Sequence, residues 1–147
     1  MKVVRLIEDS ELWEQVIVYA QNCLWKAGPF LASGMREHKF TDWEKVFVAS
    51  EGNQIAGYCT LSKTDCIPDV PYTPYIGYVF VDENFRGARW SEQMILSAVE
   101  YAKELGFQQV YLVSGEIGLY EKYGFTKIDE KLDFWGNKEQ IFSKIII

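Results

Sequence analysis

The sequence is poor in the residues that build metal centres and disulfide frameworks. It contains one histidine, His38, and three cysteines, none of them in a C-x-x-C pair. A zinc site is therefore not expected, and we predict that the protein holds no metal. Cysteines that fall in or beside apolar segments without pairing favour a reducing, cytoplasmic setting.

Long apolar runs and an excess of positive charge are missing as well. Glu8 and Asp9 interrupt the N-terminal segment early, so neither a signal peptide nor a membrane span is expected. The 21 acidic and 15 basic residues give a formal net charge of −6. This balance argues against nucleic acid and anionic membranes as partners, and it suits a cationic small molecule or a basic peptide.

What is present indicates a globular α/β domain. The 147 residues are 48% hydrophobic and 16% aromatic, which is enough for a substantial core in one domain spanning residues 1–147. We predict that Gly28-Pro29 ends the first helix and that turns at Gly52-Asn53 and Gly136-Asn137 form hairpins. The predicted order β-α-α-β-β-β-α-β-α-β-β has strands at 1–7, 43–50, 55–61, 75–81, 109–113, 126–134 and 139–147, and helices at 10–27, 30–36, 91–105 and 117–123.

One stretch, YIGYVFVDENFRGARWS at residues 75–91, passes from a strand through a basic loop into a helix. The first N–H groups of a helix have no partners within it, and the helix dipole places positive charge there. Arg86 and Arg89 flank this position, so the stretch predicts a phosphate-binding loop. The alternative is a pair of solvated arginines on an ordinary connection.

Two motifs carry a family resemblance. VFVDENFRGARWSEQMI resembles the acetyl-CoA-binding signature of the GCN5-related N-acetyltransferase (GNAT) family, and GLYEKYGF resembles that family's second signature. The order of elements is similar over nearly the whole chain. The first motif departs from the R/Q-x-x-G-x-G/A pattern, because Arg89 and Ser91 stand at its two glycine positions. Arg89 either crowds a pyrophosphate or turns outward and adds positive charge, whereas Ser91 is small enough to cap the helix.

The resemblance implies a mixed, mostly antiparallel sheet with splayed central strands and flanking helices. It also implies acetyl-CoA as co-substrate and transfer of an acetyl group to a primary amine of a small molecule or peptide. The residues implied to bind acetyl-CoA are Val79, Phe80 and Val81 along the strand and Arg86, Gly87, Ala88, Arg89, Trp90 and Ser91 in the loop.

Two catalytic roles follow from the same resemblance. Tyr120 matches the tyrosine that protonates the leaving thiolate; the alternative is an aromatic packing residue. Many relatives carry a glutamate that acts as general base near the position of Gly77, and this chain has no glutamate there. The nearest acidic candidates are Asp65 and Asp69 in the proline-rich connection, followed by Glu116. We take Asp65 as the candidate base and expect His38 at the surface.

Other readings remain open at this point. An acyl-CoA-binding sensor without turnover, or an interaction domain whose loop binds nothing, fits the same residues. Both a monomer and a homodimer are compatible, since the apolar C-terminus at 145–147 either closes the sheet or meets a second chain. Most of the aromatic residues Trp25, Phe30, Phe40, Trp43, Tyr72 and Tyr75 are expected in the core, with a few in the wall of the acceptor pocket.

Overall fold

The computed structural model describes all residues from 1 to 147, and a seven-stranded sheet in the order β1-β2-β3-β4-β5-β7-β6 runs through them. Only β4 and β5 are parallel neighbours; the other pairs are antiparallel. The strands are β1 (Lys2–Arg5), β2 (Lys45–Glu51), β3 (Gln54–Ser62), β4 (Tyr75–Val81), β5 (Gln109–Ser114), β6 (Thr126–Leu132) and β7 (Lys138–Ile145). The predicted mixed, mostly antiparallel sheet is confirmed.

Four α-helices cover the two faces of the sheet: α1 (Glu11–Asn22), α2 (Gly28–Arg36), α3 (Trp90–Glu104) and α4 (Leu119–Lys122). Side chains alternate across a strand, so β2 contributes to both cores. Phe47 and Ala49 pack in the core that contains α3 and α4, whereas Val46 and Val48 pack in the core that contains α1 and α2. The predicted flanking helices are therefore confirmed.

The first helix is shorter than predicted. Ser10 caps it as expected, because its Oγ accepts a hydrogen bond of 3.2 Å from the N–H of Trp13. The helix nevertheless ends at Asn22, and Gly28-Pro29 opens α2 instead of ending α1. Proline is tolerated there because N–H groups in a first helical turn have no partner within the helix.

The predicted hairpins are confirmed, since β2 pairs with β3 and β6 pairs with β7.

No helix of the structure has both the length and the apolar composition that a membrane crossing requires. At the C-terminus Ile146 is buried, whereas Ile145 and Ile147 are exposed.

The central strands separate soon after they meet. β4 and β5 pair only through Tyr75 with Tyr111 and Ile76 with Leu112, at the beginning of β4. Beyond Ile76, β4 keeps β3 as its single neighbour, while β5 continues alongside β7. The expected splaying is confirmed, and it opens a cleft in the middle of the sheet.

A bulge in β4 lies directly beyond the point of separation. Phe80 pairs with Tyr58 and Gly77 pairs with Thr60, which leaves two residues of β4 opposite one residue of β3. One of the two, Tyr78, has a positive φ of 48°. Bulges bend the strand that carries them and increase its local twist. The bulge therefore turns the second half of β4 away from β5.

Candidate active site

A cavity of about 2150 Å³ opens where β4 and β5 part. Its walls include the second half of β4, the loop after β4, the end of β5, α4, the 62–66 segment, the turn between β6 and β7, and the end of α1 with the connection to α2. Of the residues predicted for the site, the cavity is lined by Asp65, Val79, Phe80, Val81, Arg86, Gly87, Arg89, Trp90, Ser91 and Tyr120, whereas Ala88 does not line it.

The second half of β4 presents unpaired backbone to the cavity. The N–H of Asp82 bonds to the carbonyl of Ala56 on β3 at 2.8 Å. Backbone groups alternate in direction along a strand, so Val81 points its groups to the open side. Its carbonyl accepts a hydrogen bond of 3.2 Å from Nε of Arg86. Val79 pairs with no residue of β3 or β5.

The loop between β4 and α3 offers free donors. None of the backbone N–H groups of Arg86, Gly87, Ala88 and Arg89 donates a hydrogen bond within the protein. α3 begins at Trp90 with Arg89 at the N-cap, and no side chain caps it. These free N–H groups at the positive end of a helix form an anion-binding arrangement.

Ser91 does not cap the helix as the sequence suggested. It lies inside the first turn of α3, and its hydroxyl is 2.9 Å from the hydroxyl of Tyr123, just after α4. The loop is thereby tied to the segment that carries the second signature.

Arg89 keeps the backbone of a glycine position but sends its side chain away from the loop. Its φ is 57°, in the left-handed region that glycine favours. Its guanidinium pairs with Glu92 at 2.6 Å and lies 5.7 Å from the centre of the Tyr123 ring. Arg89 still lines the cavity, together with Tyr123. The charge is paired with Glu92, so the free N–H groups are the main donors for an anion.

Asp65 places its carboxyl in the cleft beside β4. Oδ1 accepts a hydrogen bond of 2.6 Å from the N–H of Cys66, while Oδ2 accepts none from the protein. A Cβ atom built on Gly77 would lie 2.9 Å from that Oδ2, so the carboxyl occupies the space of a side chain at Gly77. Burial raises the pKa of Asp65, because a charged carboxylate loses solvation there.

The other acidic candidates are less enclosed. Asp69 is exposed and lies outside the cavity. Glu116 lines the cavity but is exposed to solvent. His38 is exposed, bonds to Glu8 and does not line the cavity, as expected for a surface residue.

Tyr120 lies on α4, is buried and lines the same cavity. Its ring contacts Tyr123, Phe125 and Phe142 edge-on or tilted, and only 6% of the residue is exposed. Burial, assisted by the charge of Glu116, raises the pKa of Tyr120 to about 12, although Ser114 acts in the opposite direction. The phenol therefore keeps its proton at neutral pH.

Comparison with known proteins identifies the family of this chain. A model of the acetyltransferase (GNAT) family matches residues 10–125. The chain belongs to this family. It is an acetyl-CoA-dependent N-acetyltransferase, and the acyltransferase expectation is confirmed. A search of curated proteins returns no match.

Solved structures with the same fold include two aminoglycoside acetyltransferases. Aminoglycoside 6′-acetyltransferase type Ii is 14% identical with a TM-score of 0.77, covering 100% of this chain and 98% of that one. The aminoglycoside 6′-N-acetyltransferase from Enterococcus faecium is 12% identical with a TM-score of 0.72, covering 100% and 98%. A GNAT acetyltransferase from Elizabethkingia anophelis with acetyl-CoA bound is 15% identical with a TM-score of 0.67, covering 98% and 97%.

Part of the cavity wall of this acetyltransferase was not predicted from the sequence. Phe134 and Trp135 in the β6–β7 turn and Glu139 on β7 all line the cavity. Of the aromatic set, Trp25 and Phe30 line it, while the remaining four do not. A tryptophan directly before the Gly136 turn was the available signal, since an aromatic side chain at a hairpin tip has no core to enter.

Proposed function

We propose that this enzyme acetylates a primary amine of a small molecule, with Asp65 as general base and Tyr120 as general acid. The observation that supports the proposal is the half-enclosed carboxyl of Asp65, whose Oδ2 accepts no hydrogen bond from the protein and lies where a side chain at Gly77 would be, one residue beyond the point at which β4 and β5 part. The aminoglycoside acetyltransferases among the structural relatives act on small molecules that carry amines, which agrees with this class of acceptor.

The chain's residues fit acetyl-CoA. Val79, which has no strand partner, and Val81, whose backbone groups point to the open side, would pair with the pantetheine amides as an added strand does, while Phe80 between them is paired with Tyr58 of β3. The unbonded N–H groups from Arg86 to Arg89, with those that open α3 at Trp90 and Ser91, would hold the pyrophosphate. Tyr19 steadies the beginning of this loop, because its hydroxyl donates to Asp82 Oδ2 at 2.5 Å.

Asp65 would remove the proton that keeps the amine from reacting. A lysine-type amine has a pKa near 10.4, so its deprotonation at pH 7 costs about 4–5 kcal/mol. The raised pKa of Asp65 brings this base closer to the pKa of the amine, which favours proton transfer. Oδ2, the oxygen without a protein partner, is the atom that would accept the proton.

Tyr120 would return a proton to the sulfur that leaves. Acetyl-CoA supplies the acetyl group as an activated thioester. Because its pKa is raised to about 12, the phenol of Tyr120 is protonated at neutral pH and is available to donate to the thiolate that forms beside it. The low-polarity surroundings of Tyr120 strengthen such a hydrogen bond.

Release of free CoA, measured with a thiol reagent over a panel of primary amines, tests this function. We expect acetyl-CoA to raise Tm, because a ligand specific for the native state stabilises it. We expect Asp65→Asn to keep that Tm shift and to lower kcat about 10²–10⁴-fold. An absent Tm shift at millimolar acetyl-CoA would refute the cofactor assignment, and binding without CoA release from any amine would favour a sensor. The setting is proposed to be cytoplasmic, in keeping with three free cysteines.

A further inference from the structure

The turn at residues 133–137, here called the aromatic turn, is held in one conformation by its own hydrogen bonds. Oδ1 of Asp133 accepts from the N–H groups of Trp135 and Asn137, both at 2.9 Å. The N–H of Asp133 also bonds to the carbonyl of Asn137 at 2.8 Å. Asp133 itself is buried, so this arrangement is shielded from competing water.

The aromatic turn is also attached to the segment that carries the candidate base. The N–H of Phe134 donates to the carbonyl of Cys66 at 2.9 Å, and Cys66 directly follows Asp65. Trp135 and Phe134 therefore stand in a fixed relation to the Asp65 carboxyl. A turn that is pinned both internally and to its neighbour holds its side chains without help from a core.

The two aromatic side chains are nevertheless exposed. Phe134 is 65% and Trp135 is 69% exposed, although both line the cavity. Leu24, before α2, and Phe30, on α2, also line the cavity and are 95% and 62% exposed. Large apolar groups that border a cavity are typical of a ligand-binding wall. Their partner would be an apolar group of the acceptor.

The charge of the same part of the cavity is negative. Asp65, Glu116 and Glu139 line it, and the one basic residue lining it outside the phosphate loop is Lys39, which pairs with Glu37 at 3.0 Å. Burial, with the charges of Asp133 and Asp65, raises the pKa of Glu139. Glu139 Oε2 lies 4.0 Å from a Cβ atom built on Gly115, at the end of β5 where the cleft is widest. A cation would relieve this repulsion.

We propose that the acceptor is an amphipathic amine, in which one primary ammonium group is joined to an aromatic or bulky apolar group. The ammonium group binds between Asp65 and Glu139, and the apolar group packs against Phe134 and Trp135. In the reaction the ammonium group gives one proton to Asp65, its nitrogen bonds to the acetyl carbon, the carbon–sulfur bond breaks, and Tyr120 protonates the sulfur. The nitrogen loses its second proton as the amide forms, and this proton replaces the one that Tyr120 gave, while Asp65 returns its proton to solvent. The products are an N-acetyl amide and free CoA. This inference rests on the proposed function and narrows its acceptor from amines in general.

Four probes test the proposal with the full-length enzyme: 2-phenylethylamine, ethylamine, spermidine and the neutral 2-phenylethanol. We expect kcat/KM for 2-phenylethylamine to exceed that for ethylamine and spermidine at least about tenfold, because apolar contacts discriminate by this order. 2-Phenylethanol should compete at least about tenfold more weakly than the amine binds. Equal or better turnover of spermidine or ethylamine would overturn the proposal.

Variants locate the preference. Trp135→Ala should raise KM for 2-phenylethylamine about tenfold with little change in kcat, and Trp135→Phe should restore most of the affinity. Glu139→Gln should raise KM for both monoamines. Leu132→Ala is the matched control, since Leu132 is 60% exposed on the same hairpin and does not line the cavity. An unchanged preference in Trp135→Ala, or an equal change in Leu132→Ala, would contradict the assignment.

Calorimetric binding keeps the two proposals distinguishable. If no amine releases CoA, the proposed function fails, yet 2-phenylethylamine should still bind to the wild type more tightly than to Trp135→Ala. If CoA is released but without preference for the apolar amine, the proposed acetyltransferase function is supported and the proposed class of acceptor is wrong. The Tm shift with acetyl-CoA reports whether each variant is folded.

Discussion

Moving the carboxylate from one segment to another is the sharpest test of Asp65. A Cβ atom on Gly77 would lie 2.9 Å from Asp65 Oδ2 and 3.3 Å from Thr60 Oγ1. The backbone of Gly77 has no positive φ, so β4 can carry a larger residue there. Asp65 Oδ2 is the nearer of these two atoms, so Asp65→Ala removes the main obstruction and leaves Thr60 Oγ1 at 3.3 Å. Glutamate placed by Gly77→Glu would then bring a carboxylate into the same region from β4.

The magnitudes follow from the role of a general base. Asp65→Ala should lower kcat about 10²–10⁴-fold. The double variant Asp65→Ala/Gly77→Glu should recover at least about tenfold, or about 1.4 kcal/mol of the activation barrier. Recovery should be partial, because glutamate projects its carboxylate further from the strand than the observed oxygen lies. Gly77→Ala alone should lower kcat as well, since its methyl group displaces the Asp65 carboxyl.

The assay is steady-state release of CoA, with the Tm shift by acetyl-CoA as the measure of folding and binding. Wild-type kcat in Asp65→Ala would show that Asp65 is not the base. The double variant could also fold and bind acetyl-CoA but show the same kcat as Asp65→Ala. That result would show that a carboxylate beside residue 77 does not serve as the base.

Four further outcomes are expected. Tyr120→Phe keeps the ring contacts and should lower kcat about 10²-fold, with acetyl-CoA affinity unchanged. This loss is at the low end for a positioned acid because a thiolate leaves easily. A kcat equal to that of the wild type would show that Tyr120 is a packing residue. Arg89→Gly should raise the free energy of unfolding by about 1 kcal/mol in urea titrations, because glycine adopts the left-handed conformation without strain. Arg89→Ala should weaken CoA binding more at low than at high salt. If Arg89→Ala and the wild type bind CoA with equal affinity, the backbone alone forms the phosphate site. Since burial raises the pKa of Asp65, its neutral form stabilises the fold below the unfolded pKa, and this stabilisation is lost as pH rises through the folded pKa. Asp65→Asn should therefore raise Tm more at pH about 8 than at pH about 4; a Tm difference independent of pH would refute this.

Local chemistry made the order of elements predictable. Strand alternation, helical spacing and the Gly52 and Gly136 turns act over a few residues, and each produced the predicted element. Gly28-Pro29 was assigned to the wrong helix end because glycine fits a C-terminus and proline fits a first turn. The deciding fact is tertiary: a Cβ atom on Gly28 would lie 2.4 Å from Ala20 O, so glycine is needed where α2 meets α1.

The candidate site was predictable along β4 and its loop, and less so across the cleft. The free backbone around Val79 and Val81 follows from the strand and its neighbours. The Arg89 side chain pairs with Glu92, which is three residues along the chain, and also lies over the ring of Tyr123, which is distant in sequence. Likewise, the contact between Asp65 and Gly77 joins a loop to a strand that sequence spacing does not relate.

The acceptor wall escaped prediction for a different reason. Phe134 and Trp135 sit in a hairpin turn, where sequence rules describe the backbone and say little about what the side chains face. Their relation to Asp65 depends on one backbone hydrogen bond, from Phe134 to Cys66. Nothing in either segment alone indicates that bond.

The open edge of β4 has a consequence for solubility. Unpaired strand edges at the rim of a sheet recruit strands of other molecules and promote aggregation. Here the unpaired edge lies inside the sheet, with β3 behind it and β5 diverging in front. A foreign polypeptide strand needs about 4.8 Å of spacing to each neighbour and room for its side chains, which a wedge that closes at Ile76 does not give along its length. The enzyme can therefore keep strand-pairing groups free for a narrow ligand without offering them to a second protein chain.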